Sequence, residues 1–347
     1  MSGYGYNFFA RLLHRLALQY TTVAEISFDI ENASLKKRPS FPDNHVFISG
    51  LARSGSTMLL NYLYATGRFR SLTYRDMPFL LMPGISKKLS RRGIPQPARE
   101  RAHRDGIMVS LDSPEAFEEA FWRVFCGENY IFDDKLKQHK VSAETSKKFK
   151  DYISAVLRSG GLPDKRYLSK NNNNILRLGY LQQAFPQSHI IIPFRRPLQQ
   201  AISLQQQHIH FSKIHAEDGF SLSYMSWLGH FEFGLNQKPF FLGDDALFKA
   251  MEAQPKTGIN FWLLCWKNYY RYALAKAAAK TIFFNYEHFC SDPEKAMTAL
   301  FKKMNITGTA GEPKPFSPPA RTIEGVDPDL LDECMLIYHQ LTARAEG

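Results

Sequence analysis

The sequence predicts an α/β protein in which a central parallel sheet lies between two layers of helices. Three observations carry that prediction. Short apolar runs, "HVFISG", "RYLSK", "SHIIIPF" and "KTIFFNY", recur along the chain, and their brevity and continuous hydrophobicity suit strands buried on both faces. Longer stretches of helical periodicity separate them, as crossover connections require. The first run also ends in a glycine-rich turn that opens a helix, "GLARSGSTMLL" over 50–60, and such a turn can hold an anion.

Taken in order, the elements begin with "FFARLLHRLALQY", apolar at helical spacing but interrupted by Arg11, His14 and Arg15. This predicts a surface helix capable of weak membrane contact and too short to span a bilayer. Residues 1–40 read as a helical extension of a single domain covering 1–347. "HVFISG" is the first strand, and "STMLLNYLYATG" is its helix, closed by Gly67. A second short strand is expected near "RSLTY". Residues 84–110 are basic and interrupted by Pro and Gly, a loop or lid within an insertion over 84–165. In "DSPEAFEEAFWRVF", Ser113 as N-cap and Pro114 at the first helical position predict a helix start. "SKKFKDYISAVLRSGG" is a helix with a glycine stop. "NILRLGYLQQAF", "PLQQAISLQQQHIHF", "INFWLLCWKNYYRYALAKAAA" and "PEKAMTALFKKM" are helices between and after the last three strands. The tail "GEPKPFSPPARTIEG" is proline-rich and irregular.

Hydrophobic content of 44% over 347 residues is ordinary for a globular protein, but 44 Lys and Arg against 33 Asp and Glu leave +11. That excess suits an anionic ligand, a polyanion, nucleic acid or a membrane surface. Dispersed charge and the lack of a nucleic-acid module argue against nucleic acid. Cys126, Cys265, Cys290 and Cys334 are scattered without a C-x-x-C pair, which predicts reduced thiols in a cytoplasmic chain and no zinc site. His208, His210 and His215 lack a neighbouring carboxylate or cysteine to complete a metal site, so none is expected.

Residues 50–57 fit the phosphate-loop pattern G-x-x-x-x-G-K-[ST] except that Ser56 stands in place of the lysine. Loop amides and a helix N-terminus still hold an anion without it, and Arg53 supplies a cation within the loop. Lys170 ends a strand. Arg195 ends another, and Ser203 follows eight residues later in the next helix, so both can reach one phosphate.

These stretches together resemble the sulfotransferases that use 3′-phosphoadenosine 5′-phosphosulfate (PAPS). "RSGST" matches the family's 5′-phosphosulfate loop, Arg195 and Ser203 its R-x7-S pair for the 3′-phosphate, and "YEHFCSDP" its Y-E-x-x-x-x-D-P segment. The resemblance implies a P-loop-like fold, PAPS as donor, no metal, and an acceptor hydroxyl. It assigns Ser54, Gly55, Ser56 and Thr57 to the phosphosulfate and Arg53 and Lys170 to transition-state charge. Arg321, in "PPARTIEG", is the candidate for the C-terminal nucleotide loop. Asp76, at Arg53 plus 23, takes the place of a carboxylate base, with an N-cap or an ion pair to Arg75 as its structural alternative. His103 is the rival base. Glu115, Glu118 and Glu119 could face the acceptor, or could complement a helix dipole. Two departures stand out: Arg196 replaces the usual Asp, and "KNNNN" replaces Lys-x-Pro. The basic lid and surface suggest a carbohydrate acceptor, an oligo- or polysaccharide. A small-molecule or peptide-tyrosine hydroxyl, and a kinase with a displaced lysine, are the alternatives.

Overall fold

The structure, a computed structural model, describes residues 8–34, 43–90, 98–103, 106–161, 164–306 and 321–346. Five strands form the central sheet: β1 (Val46–Ile48), β2 (Phe69–Arg70), β3 (Arg166–Lys170), β4 (His189–Phe194) and β5 (Ile282–Asn285). Their order is β2-β3-β1-β4-β5, and every pairing is parallel. Ile48 lies level with Lys170 on one side and Ile191 on the other. This register aligns the carboxyl ends of the three middle strands, the edge where open α/β sheets bind ligands.

Side chains alternate between two cores, as the pleat dictates. Phe47, Tyr167, Ile190 and Ile192 join one apolar cluster. Val46, Ile48, Leu168 and Ile191 join the other, with Leu59, Leu60 and Leu63 of the helix Ser56–Ala65 and Met297 and Leu300 of the helix Pro293–Lys303. The expected three layers are therefore present.

Local differences concern the connections. The second strand ends at Arg70, and a 3₁₀ turn, Tyr74–Asp76, follows. The helix expected from Pro114 begins at Glu119 instead. Tertiary pairing overrides its start signal: Pro114 bridges to Thr73, the Glu115 amide donates to the Leu72 carbonyl at 3.1 Å, and the Ser113 hydroxyl accepts from the Ser110 amide at 2.9 Å. The described parts of the lid are a helix, Pro83–Ser90, and a hairpin of Arg99–Glu100 with Met108–Val109. Helices Gly219–Trp227, Asp245–Glu252 and Pro328–Glu346 add to those expected. The proline-rich tail lies mostly outside the described residues.

Candidate active site

The loop after β1 bends because two residues take left-handed backbone, Arg53 at φ 67° and Gly55 at φ 88°. Only glycine fits the second position, since a Cβ there would lie 2.4 Å from the Tyr286 ring. Gln200 fixes the loop from below, its amide donating to the Leu51 carbonyl at 3.3 Å and the Ala52 carbonyl at 2.9 Å. Ser56 then opens the helix with Gly55 as N-cap. The amides of that first turn and the positive helix end face a cavity of about 550 Å³ lined by Arg53, Gly55, Ser56 and Thr57. Ser54 departs from its expected role. Its hydroxyl is fully buried, and its amide is taken by the Leu51 carbonyl at 3.3 Å.

Strand ends bring the cations to the same cavity. Lys170 closes β3 and Arg195 follows β4, and both line it. Burial lowers the Lys170 ammonium below the ordinary lysine range, with Glu115 and Glu232 opposing that shift. The Arg195 guanidinium stacks 5.0 Å over the Tyr286 ring. Its Nε is buried without a hydrogen-bond partner, 3.9 Å from Glu287 Oε1. Glu287 in turn accepts from the Arg196 amide at 3.0 Å and the Tyr338 hydroxyl at 3.2 Å. "YEHFCSDP" thus buttresses Arg195, while Asp292 caps the next helix through the Lys295 amide at 3.0 Å. Ser203 does not line the cavity; its hydroxyl accepts from Arg53 Nε at 3.1 Å and braces the loop arginine. Arg321 sits on the exposed face of the same helix, Pro197–Glu217, bonded to Gln199 and Gln206 on either side of Ser203.

Asp76 is a correction. It is fully buried and absent from the cavity wall. Arg70 Nη2 donates to both its oxygens at 2.7 and 2.8 Å, and the Thr73 amide donates to Oδ2 at 2.7 Å. Neither structural alternative holds as expected: Thr73 is the N-cap and Asp76 is the third residue of its capping box, and the ion pair is with Arg70, while Arg75 pairs with Asp112. Two carboxylates do reach the cavity, Glu115 and Glu232, and Glu115 is carried there by the pairing that displaced the helix start. Arg101 Nη1 donates to it at 3.2 Å and contacts Thr57 Oγ1 at 3.4 Å. Burial works to raise the Glu115 carboxyl, but Arg101, Lys170 and the Ala116 amide prevail and hold it at about 2.

Glu118 and Glu119 face inward, not toward the cavity. Glu118 accepts from Tyr167 and from Asn171 and Asn174, and Glu119 forms a buried ion pair with Arg177 at 2.8 Å. Asn171 and Asn174 of "KNNNN" therefore satisfy this buried acid pair, while Asn172 donates to Glu232 at 2.7 Å and Asn173 to the Gly229 carbonyl at 3.0 Å. His103 does reach the cavity. Gln207 clamps it from two sides, donating to the His103 carbonyl at 3.0 Å and accepting from Nδ1 at 3.1 Å. With Nδ1 as donor, Nε2 carries the ring's basic lone pair. His210 Nε2 donates to the Ala102 carbonyl at 3.1 Å and so helps hold the same hairpin. Among the described residues, no three His, Cys, Asp or Glu side chains are grouped to hold a metal.

The remaining wall is largely apolar, with Tyr74, Phe117, Tyr224, Met225, Leu228 and Phe233, but it also carries the polar side chains of Asn172, His230 and Glu232. Sequence reasoning missed Arg101, Gln200, Gln207 and Glu232. Arg101 is one of several basic residues in the lid, and nothing in spacing separates it from them.

Comparison with known proteins bears on the fold and the family. A search of curated proteins finds no match. The solved sulfotransferase STF9 from Mycobacterium avium superposes with a TM-score of 0.50 at 14% identity, over 97% of this chain and 84% of that one. Sulfotransferase STF1 from Mycobacterium tuberculosis H37Rv gives a TM-score of 0.47 at 11% identity, over 98% and 87%. The first likeness shows a shared fold. The sequence profile of the Sulfotransferase family matches residues 45–232, from β1 through the strand-end cations to Glu232, more than half of the chain. The chain belongs to the Sulfotransferase family.

Proposed function

We propose that the chain transfers a sulfuryl group from PAPS to the hydroxyl of an acceptor with an apolar body. The observation that carries this is the convergence of Arg53, Lys170 and Arg195 with the β1 loop on one cavity. The fit to the donor rests on two features: the Gly55 cradle, which a Cβ would fill, and the buried Nε of Arg195, which has no hydrogen-bond partner and only a 3.9 Å ion pair with Glu287. PAPS, when bound, supplies a sulfuryl group already attached to a phosphate leaving group.

The protein's own groups set the electrostatics. Gly55, Ser56 and Thr57 present amides and hydroxyls at the helix N-terminus for the 5′-phosphosulfate. Arg53, braced by Ser203, and Lys170 meet the charge that spreads over equatorial oxygens and gathers on the leaving phosphate. The depressed ammonium of Lys170 is a better proton donor than an exposed lysine. Arg195, with Ser203 acting through Arg53, serves the 3′-phosphate, and Arg321 lies along the same helix. Family membership sets aside the kinase alternative.

The base moves from Asp76 to His103, because Asp76 has no access while His103 lines the cavity and Gln207 fixes its ring there. Glu115 is too weak a base with its carboxyl held at about 2. The aromatic and aliphatic wall favours an apolar acceptor body over the saccharide that the basic surface suggested. The test supplies ³⁵S-labelled PAPS with 1-naphthol or with a neutral oligosaccharide. Label should pass to 1-naphthol and not to the sugar. Transfer to the sugar alone would restore the saccharide reading, and transfer to neither would contradict the proposed site.

A further inference from the structure

The N-terminal segment is helical from Phe8 to Gln19 and turns the wrong face outward for a surface helix. Its solvent side is a contiguous apolar arc: Phe8 and Phe9 are 74% and 79% exposed, and Leu12, Leu13, Leu16 and Tyr20 are 44–46% exposed. Phe8, Leu12 and Leu16 form one i, i+4 row. The inward side carries Arg11 and His14 beside the buried Ala17 and Leu18. Arg11 pairs with Asp218 at 3.2 Å and lies 4.7 Å over the Phe220 ring, and the buried His14 ring stands 5.6 Å from Tyr224. A surface helix normally shows the reverse polarity, and monomers rarely leave such patches uncovered.

Charge selects the occupant. Between Phe8 and Tyr20 there is no Asp or Glu, while exposed Arg15 borders the arc, and the chain carries +11. Aromatic and leucine side chains flanked by arginine, without acids, suit the interface of an anionic bilayer. The inward face of the same segment packs against an element of the site. The helix Gly219–Trp227 receives Arg11 and His14 and lines the apolar wall of the cavity with Tyr224 and Met225. We propose that this N-terminal face binds an anionic lipid bilayer and holds the acceptor wall close to the membrane surface. The binding stands whether or not the sulfuryl-transfer reading holds.

The full chain is floated with vesicles of phosphatidylcholine containing phosphatidylglycerol, and with vesicles of phosphatidylcholine alone. The protein should float with the anionic vesicles and far less with the neutral ones. A Phe8→Ser, Phe9→Ser, Leu12→Ser variant should partition about tenfold or more weakly, because three exposed apolar side chains no longer enter the interface. Its thermal stabilisation by 3′,5′-ADP should equal that of the parent chain, which keeps fold and donor site as controls. Absence of flotation in the parent chain overturns the proposal. So does a parent chain that sediments as a dimer while the variant is monomeric, since the arc would then join two copies. Loss of 3′,5′-ADP stabilisation in both chains, with flotation intact, would instead strike only the donor reading.

Discussion

The two halves of the cavity are built differently. On the side proposed for the donor, the residues assigned to it belong to the backbone pattern that defines the fold: the β1 loop, Lys170 at the end of β3, Arg195 after β4 and Tyr286 after β5. On the acceptor side, Arg101, His103 and Glu115 come from a hairpin and a displaced helix start, and Tyr224 and Met225 come from a packing helix. The first half is positioned by register, the second by side-chain contacts across long sequence separations. Two acid–arginine pairs sharpen the contrast. Asp76 with Arg70 is sealed in the interior, whereas Glu115 with Arg101 opens on the cavity. Similar chemistry serves packing in one and the site in the other.

The largest expected effect tests the acceptor half. His103→Ala should lower turnover by about 10²–10⁴ and abolish the acidic fall of the rate profile, while donor affinity is kept. Asp76→Asn should leave the acidic fall in place. The opposite pair of results would return the base to Asp76 and erase the distinction between the two acids. On the donor half, Arg53→Ala and Lys170→Ala should each lower turnover by about 10²–10³. Near-normal turnover in either would remove that residue from transition-state charge.

Asp76→Asn has its main expected effect in stability. It strips the partner from a buried guanidinium, and breaking such a pair costs about 3–5 kcal/mol. Urea unfolding monitored by tryptophan fluorescence would show it as a lowered midpoint. An unchanged midpoint would mean that Arg70 finds compensation in Ser159, which already accepts from its Nε at 3.2 Å.

A smaller, chain-wide effect comes from buried histidines. Burial lowers His45, His139 and His208 from 6.5 to about 4. Below pH 6.5 the unfolded chain takes up protons that these folded rings refuse, so stability should fall as pH drops from 6.5 toward 4. Glu115 works in a lower window, its contribution being lost only as pH falls toward 2. Unfolding midpoints at pH 7 and pH 5 check the sign. Equal midpoints would mean that the three rings are solvated in solution.

How far the site was legible follows the same division. Strand runs, the loop and the spacing of Arg195 to Ser203 are local patterns, and the fold follows from them. Even there, Ser54 and Ser203 turned out to support the loop from within, because a motif fixes a residue's place and not the direction of its side chain. Asp76 misled because its distance from Arg53 in sequence says nothing of Arg70, six residues before it, which claims both carboxylate oxygens. The start signal at Ser113 and Pro114 was real as local chemistry, but pairing of Pro114 and Glu115 with Leu72 and Thr73 outweighed it. Gln207 carried no signal at all, since its role depends on a hairpin over a hundred positions away.

The central claim is that strand-end cations form a site for a nucleotide bearing a 3′-phosphate as well as a 5′-phosphate. Thermal unfolding with 3′,5′-ADP and with 5′-AMP, each at equal excess, tests it most directly. At a hundredfold excess over its dissociation constant, 3′,5′-ADP should add about 2.7 kcal/mol and 5′-AMP far less, with Arg195→Ala reducing the difference. Equal shifts for the two nucleotides, or no shift with either, would contradict the account.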